Sequence, residues 1–234
     1  MKGKLYLIPT PLGEGELSEV LPVGLLECIT RLDCFVVEEL RTARRFLSKA
    51  GHRGQIEQLG LYELNEHTDA ATIESYLSLF ENGHSVGLLS EAGLPAVADP
   101  GAALVALCHR HQIEVVPFTG PSSLMLALMA SGLNGQCFAF KGYLPAKSDE
   151  RKQALKNIEK RSLAAKETQI FIETPYRNDA MLSDILGACS PRTQLCIAVN
   201  LTCPDQQIKT RTIAEWKQEK MEIGKRPCVF LLLA

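Results

Sequence analysis

Val86-Gly-Leu-Leu89 runs directly into Ser90-Glu-Ala-Gly-Leu-Pro-Ala-Val-Ala-Asp-Pro-Gly101. The four apolar residues read as a buried strand. The loop after them holds Gly93, Gly101, Pro95, Pro100, Glu91 and Asp99, a composition that fixes the backbone and lets it approach a ligand closely. Residues 102–111 carry helical spacing, and Ile113-Glu-Val-Val-Pro-Phe118 is a further apolar run. Strand, constrained loop, helix and strand in that order make one unit of a parallel α/β sheet.

The same order recurs upstream. Leu5-Tyr-Leu-Ile8 and Cys34-Phe-Val-Val37 read as strands, with helical stretches over 20–31, 41–50 (ended by Gly51) and 68–81 (stopped by Asn82-Gly83). Short runs that are apolar throughout suit strands covered on both faces. Beyond residue 118 the pattern changes. An Ala/Leu/Met-rich helix over 124–131 is followed by denser strands at 137–141, 168–173, 194–201, 207–213 and 228–233, with helices at 150–160, 178–186 and 214–220. Short links between neighbouring strands predict antiparallel pairing. The expectation is a two-domain α/β protein, with a mainly parallel sheet in residues 1–118 and a mixed sheet in 119–234.

Composition narrows the class. The chain has 234 residues and a formal charge of −2, so it lacks the basic excess of a dedicated nucleic-acid domain, although a local basic patch stays open. The N-terminal apolar run is too short for a signal-peptide core, and no run approaches the roughly 20 residues that cross a bilayer. Eight scattered cysteines form no C-x-x-C pair, and no metal-ligand spacing occurs. These features predict a cytoplasmic protein with reduced thiols and no membrane contact.

Five polar segments follow the strands. Pro9-Thr-Pro-Leu-Gly-Glu-Gly15 is a stiff turn without a dinucleotide fingerprint. Val37-Glu-Glu-Leu-Arg-Thr-Ala-Arg-Arg45 sets Arg41, Arg44 and Arg45 at i, i+3 and i+4. They form either an anion-binding face or an ordinary solvated helix start. In the loop at 90–101, Asp99 reads as a cap for the next helix, whereas Glu91 has no such role and stands as a candidate ligand contact. Thr119-Gly-Pro-Ser-Ser123 suits an N-cap, an anion site or both. Glu173-Thr-Pro-Tyr-Arg177 ends another strand. Asn65-Glu-His-Thr68 is a polar island in which His67 reads more simply as a surface or capping residue than as a base. Ser148 or Asp149 is expected to cap the helix after Lys147.

Taken in order, these segments resemble the tetrapyrrole-methylase superfamily, and within it the branch that methylates a cytidine 2′-hydroxyl in small-subunit ribosomal RNA. The branch's A-T-P-I-G-N-L is Pro9-Thr-Pro-Leu-Gly13 here, and its A-E-D-T-R is Val37-Glu-Glu-Leu-Arg41. Its S-D-A-G-T-P-x-x-S-D-P-G becomes residues 90–101, its P-G-P-S-A residues 119–123, and its E-S-P-H-R Glu173-Thr-Pro-Tyr-Arg177. The resemblance implies S-adenosyl-L-methionine as cofactor, held between two α/β domains, and a homodimer. It places Leu12, Gly13, Ser90, Glu91, Leu94, Gly120, Ser122, Ser123, Glu173 and Asn200 around the cofactor, with Gly93 also shaping a loop. The branch's A-R-E-L-T-K is Ala198-Val-Asn-Leu-Thr-Cys203 here, so Val199, Asn200 and Cys203 replace arginine, glutamate and lysine.

Methyl transfer from a sulfonium needs alignment and no metal. A neutral ribose hydroxyl also needs a base, for which Glu39 is nominated, with Arg41 orienting the acceptor or its phosphate. Ribosomal RNA is the leading acceptor. The alternatives are a small planar metabolite such as a tetrapyrrole, or S-adenosylmethionine binding without turnover. Collection of Arg41, Arg44, Arg45, Lys141, Lys147, Arg151, Lys152 and Arg177 on one rim would favour RNA.

Overall fold

The structure is a computed structural model and describes residues 2–234. The chain divides into two compact units, 1–122 and 123–234.

The first unit carries five strands: β1 (Lys4–Ile8), β2 (Cys34–Val37), β3 (Gly60–Glu63), β4 (Val86–Leu89) and β5 (Glu114–Pro117). Their order across the sheet is β3-β2-β4-β1-β5, and every pairing is parallel. Helices α1 (Leu17–Val20) and α2 (Val23–Ile29) join β1 to β2, and α3 (Leu40–Leu47) follows β2. Helix α4 (Ala70–Ser75) precedes β4, and α5 (Ala102–Arg110) joins β4 to β5. Successive strand residues serve opposite faces. Phe35, Val37 and Leu89 pack with Ile8, Leu25 and Leu47, while Val36 and Leu88 pack with Leu5, Phe80 and Leu104. Two buried faces explain the unbroken apolar runs. At Gly87 an added Cβ would stand 2.6 Å from the Phe35 ring and 2.8 Å from Ile8, so this glycine makes room for both.

Three expected helices are re-cut. The stretch 20–31 splits at Leu21-Pro22, where both residues are extended. Helix α3 continues into a π-turn over Ser48–His52, in which Gly51 takes a φ of +127°. The stretch 68–81 divides into α4 and a 3-10 segment over Tyr76–Gly83. Strand β3 is unforeseen, because this edge strand is only half-buried and carries no apolar run.

The second unit holds β6 (Phe138–Tyr143), β7 (Thr168–Ile172), β8 (Gln194–Val199), β9 (Gln207–Thr212) and β10 (Cys228–Leu233), ordered β6-β7-β10-β8-β9. Only β6 and β7 are parallel, so the sheet is mixed as expected. Around it lie α6 (Ser123–Ser131), α7 (Ser148–Ala165), α8 (Asn178–Ala188) and α9 (Ile213–Trp216). Phe171 stacks on Phe230 across the β7–β10 pair, and the Trp216 indole N–H donates to the Leu195 carbonyl at 2.9 Å. A buried ion pair, Arg151 with Asp184, ties α7 to α8. Neither Ser148 nor Asp149 caps α7. Lys147 takes the N-cap position, and the Ser148 hydroxyl instead donates to Asp184 at 2.9 Å. All eight cysteines are free thiols, five of them buried. Among the described residues, no helix is long and apolar enough to cross a membrane.

Candidate functional site

The chain leaves β2 toward β3 and leaves β4 in the opposite direction, toward β5. Diverging connections open a crevice at the carboxyl ends of these strands, where open α/β sheets bind ligands. Loops from β1, β2, β4 and β5 meet there. Thr10 and Gly93 exchange two backbone hydrogen bonds of 2.9 and 3.0 Å. The Thr10 hydroxyl donates to the Ser90 carbonyl at 3.3 Å. A Cβ on Gly93 would lie 3.3 Å from Leu12, and one on Gly120 only 2.1 Å from Pro9. The structure thus gathers Leu12, Ser90, Gly93, Leu94 and Gly120, while Gly13 lies exposed beside Leu12.

At the end of β2, Glu39 caps α3. Its Oε1 accepts the Arg41 backbone N–H at 2.9 Å, and its Oε2 accepts that of Thr42 at 2.7 Å. Those bonds hold its carboxyl below the usual range. The base role expected of Glu39 fits poorly, because both oxygens are committed and the acid is weakened as a proton acceptor. Its neighbour Glu38, not singled out by its sequence context, faces the β4 loop. Glu38 Oε2 accepts the Glu91 backbone N–H at 3.0 Å, and the Thr42 hydroxyl reaches Glu91 Oε1 at 3.4 Å.

Asp99 is not a helix cap. Gly101 occupies the N-cap of α5 with a φ of +128° and no side-chain bond. In the same loop Ala96 and Ala98 take φ values of +65° and +66°. The left-handed region costs a non-glycine residue roughly 1–2 kcal/mol, so the surrounding loop must enforce it. The result brings Asp99 near Glu38 and Glu91. Burial, followed by the charge of Glu38, pushes the Asp99 carboxyl up to about 6. Burial also raises Glu38, against the pull of the Glu91 N–H. The Ser90 hydroxyl stands beside the Asp99 carboxyl, is 5% exposed, and makes no hydrogen bond of regular geometry.

In the second unit, Glu173 ends β7 with a fully buried side chain. Its Oε1 accepts Nε and Nη2 of Arg177 at 3.0 and 2.6 Å, and its buried Oε2 has no partner. Asn200 is a turn residue with a φ of +48°. Its N–H donates to the Pro227 carbonyl, and its Nδ2 donates to Asp205 at 2.7 Å. Ser122 is buried at the end of the first unit, and Ser123 opens α6.

The residues present fit S-adenosylmethionine. A buried carboxylate oxygen without a partner, Glu173 Oε2, is rare in a finished interior and calls for a polar ligand atom, and the Ser90 hydroxyl has only the Asp99 carboxyl beside it. The glycine contacts show backbone closed so tightly that side chains are excluded. Five of the eight basic residues named above, Lys141 among them, are engaged in ion pairs. Arg151 is buried on Asp184, Lys152 pairs with the same carboxylate, Lys147 pairs with Glu150, and Arg177 holds Glu173. On α3, Arg41, Arg44 and Arg45 are exposed and form no ion pair among the described residues. Asn65 closes its own turn, accepting the His67 N–H at 2.9 Å, so His67 is a surface turn residue.

A family model, Tetrapyrrole (Corrin/Porphyrin) Methylases, matches residues 4–217. A ribosomal RNA small subunit methyltransferase I of Escherichia coli O157:H7 is 33% identical over 99% of this chain and 78% of its own length. The protein of that name from Thermotoga maritima is 31% identical over 91% of this chain and 90% of its own. Among solved structures, the methyltransferase CobJ superposes with a TM-score of 0.64 at 16% identity, covering 99% of this chain and 94% of that one.

Proposed function

The chain belongs to the tetrapyrrole methylase family and is an S-adenosylmethionine-dependent methyltransferase; from that premise we propose that its acceptor is a ribose 2′-hydroxyl of small-subunit ribosomal RNA. The observation that carries this reading is the 33% identity, across 99% of the chain, to a ribosomal RNA small subunit methyltransferase I. CobJ, at 16%, shares the fold alone. The unpaired arginine face of α3 supports the same acceptor, since exposed guanidinium groups beside a site suit a phosphate backbone.

S-adenosylmethionine supplies a methyl group on a cationic sulfur, already activated for displacement. The protein's task is to position and to move one proton. Glu173 offers a free carboxylate oxygen and Ser90 a buried hydroxyl to the cofactor, alongside Leu12, Gly13, Glu91, Leu94, Gly120, Ser122, Ser123 and Asn200. Asp99, raised toward neutrality with Glu38 beside it, is the better base for the acceptor hydroxyl. Arg41, exposed in the first turn of α3, would orient an acceptor phosphate. The reading includes a homodimer acting in the cytoplasm. Its test is to map 2′-O-methylated ribose in small-subunit RNA from cells lacking the protein. One missing modification, restored by the gene, supports the reading; a complete, normal set rejects it.

A further inference from the structure

We propose that Tyr176 and Lys225 form a platform on which one unpaired base of the acceptor RNA stacks, an inference that rests on the RNA reading above. Tyr176 is 80% exposed, unusual for a large aromatic side chain. It sits in the short 3-10 turn Pro175–Arg177, separated from Glu173 only by Thr174 and Pro175. That turn is anchored from beneath, because Arg177 is spent on the buried Glu173 carboxylate. The ring is therefore presented outward on a fixed support.

Lys225 comes from a separate segment, yet its Nζ lies 5.2 Å from the Tyr176 ring centroid. The backbone on either side of it is pinned to the start of α8. Asp179 accepts the N–H groups of Ile223 at 2.8 Å and Gly224 at 3.1 Å, and Asn178 Nδ2 donates to the Arg226 carbonyl at 2.8 Å. Arg226 folds back, donating from Nε and Nη2 to the carbonyls of Ile223 and Glu222. Two loops are thus locked together to set an ammonium group against an open aromatic ring. The arrangement adds little to the core, since the ring buries little surface. It matches what single-stranded RNA presents, a flat base beside a phosphate: the base stacks on the ring and the ammonium takes the phosphate. Continuity with the site supports the assignment, because Glu173 shares the loop and Asn200 bonds the carbonyl of Pro227.

The test uses the full-length protein, a fluorescent oligouridine and methyl transfer to small-subunit RNA. Tyr176→Ala should weaken oligouridine binding and raise the RNA KM by about tenfold, the scale of one base stack. Tyr176→Phe should stay within about twofold. Lys225→Ala should lower the salt dependence of binding by about one phosphate contact. S-adenosylmethionine affinity and sedimentation should be unchanged in all three. Wild-type RNA binding and KM in Tyr176→Ala would overturn the platform alone. A shift in its sedimentation would assign the surface to a second copy of the chain and overturn it too. A wild-type protein that neither binds nor methylates RNA would remove the acceptor reading, and the platform with it.

Discussion

Glu38 Oε2 accepts the backbone N–H of Glu91 at 3.0 Å. This one bond joins the carboxyl end of β2 to that of β4, across the point where the connections diverge. It also fixes a carboxylate beside Asp99, whose charge adds to burial in pushing the Asp99 carboxyl up to about 6.

The pH profile should carry that signature. A base acts when deprotonated, so single-turnover rates should rise with pH through about 6, the Asp99 value. Asp99→Asn should lose the rising limb and roughly 10²–10⁴ in rate while binding S-adenosylmethionine normally. Stability should move the other way. The raised group favours the folded state at low pH, and that contribution fades as pH rises from the unfolded value near 4 through 6. Asp99→Asn should therefore melt higher than wild type at pH 7. Wild-type rates in Asp99→Asn would exclude the base role.

Glu39→Gln separates capping from catalysis. Loss of the charged cap of α3 should lower the melting temperature. Turnover per folded molecule should persist. A collapse of kcat with unchanged melting would return the base role to Glu39.

Gly120→Ala should obstruct the cofactor site. Its Cβ would meet Pro9 Cβ at 2.1 Å, so the loops after β1 and β5 would have to separate. Calorimetry should show cofactor affinity reduced by more than about tenfold, which corresponds to roughly 1.4 kcal/mol of binding energy. Unchanged affinity would dissociate this loop from cofactor binding.

Acid should expose Glu167 and Asp184. Hydrogen bonds from Arg161 and Gln169 hold Glu167 down at about 2. A depressed carboxyl stabilises above its unfolded pKa, and that stability fades as pH falls from about 4.5 to about 2. Glu167→Gln should flatten the acid limb of the stability curve there. Asp184→Ala would strand the buried Arg151 and should cost about 3–5 kcal/mol in urea unfolding at neutral pH.

Much of the fold is legible because β2, β4 and β10 are buried along nearly their whole length and read as unbroken apolar runs. β3 escapes notice, since an edge strand reading Gly60-Leu-Tyr-Glu63 owes its place to pairing with β2 rather than to burial. The loop at 90–101 is recognisable by its glycines and prolines. Its geometry is not, because nothing about Ala96 and Ala98 announces a left-handed backbone. For the same reason Asp99 reads as a cap in sequence, although Gly101 takes that position. Residue type and local pattern do not separate Glu38 from Glu39, and the motif match favours Glu39; strand order and the start of α3 show that Glu38 faces the β4 loop and Glu39 its own helix. The tie between Tyr176 and Lys225 spans too long a stretch of chain for any local pattern to reveal.

Ribosomal RNA methylation is tested most directly by methyl transfer from labelled S-adenosylmethionine to small-subunit RNA taken from cells lacking this protein, followed by nucleoside mapping. Close to one methyl group per RNA is expected, on a ribose 2′-oxygen, and none with Asp99→Asn. Cofactor binding without transfer to that RNA, or a methyl group found on a base, would contradict the assignment.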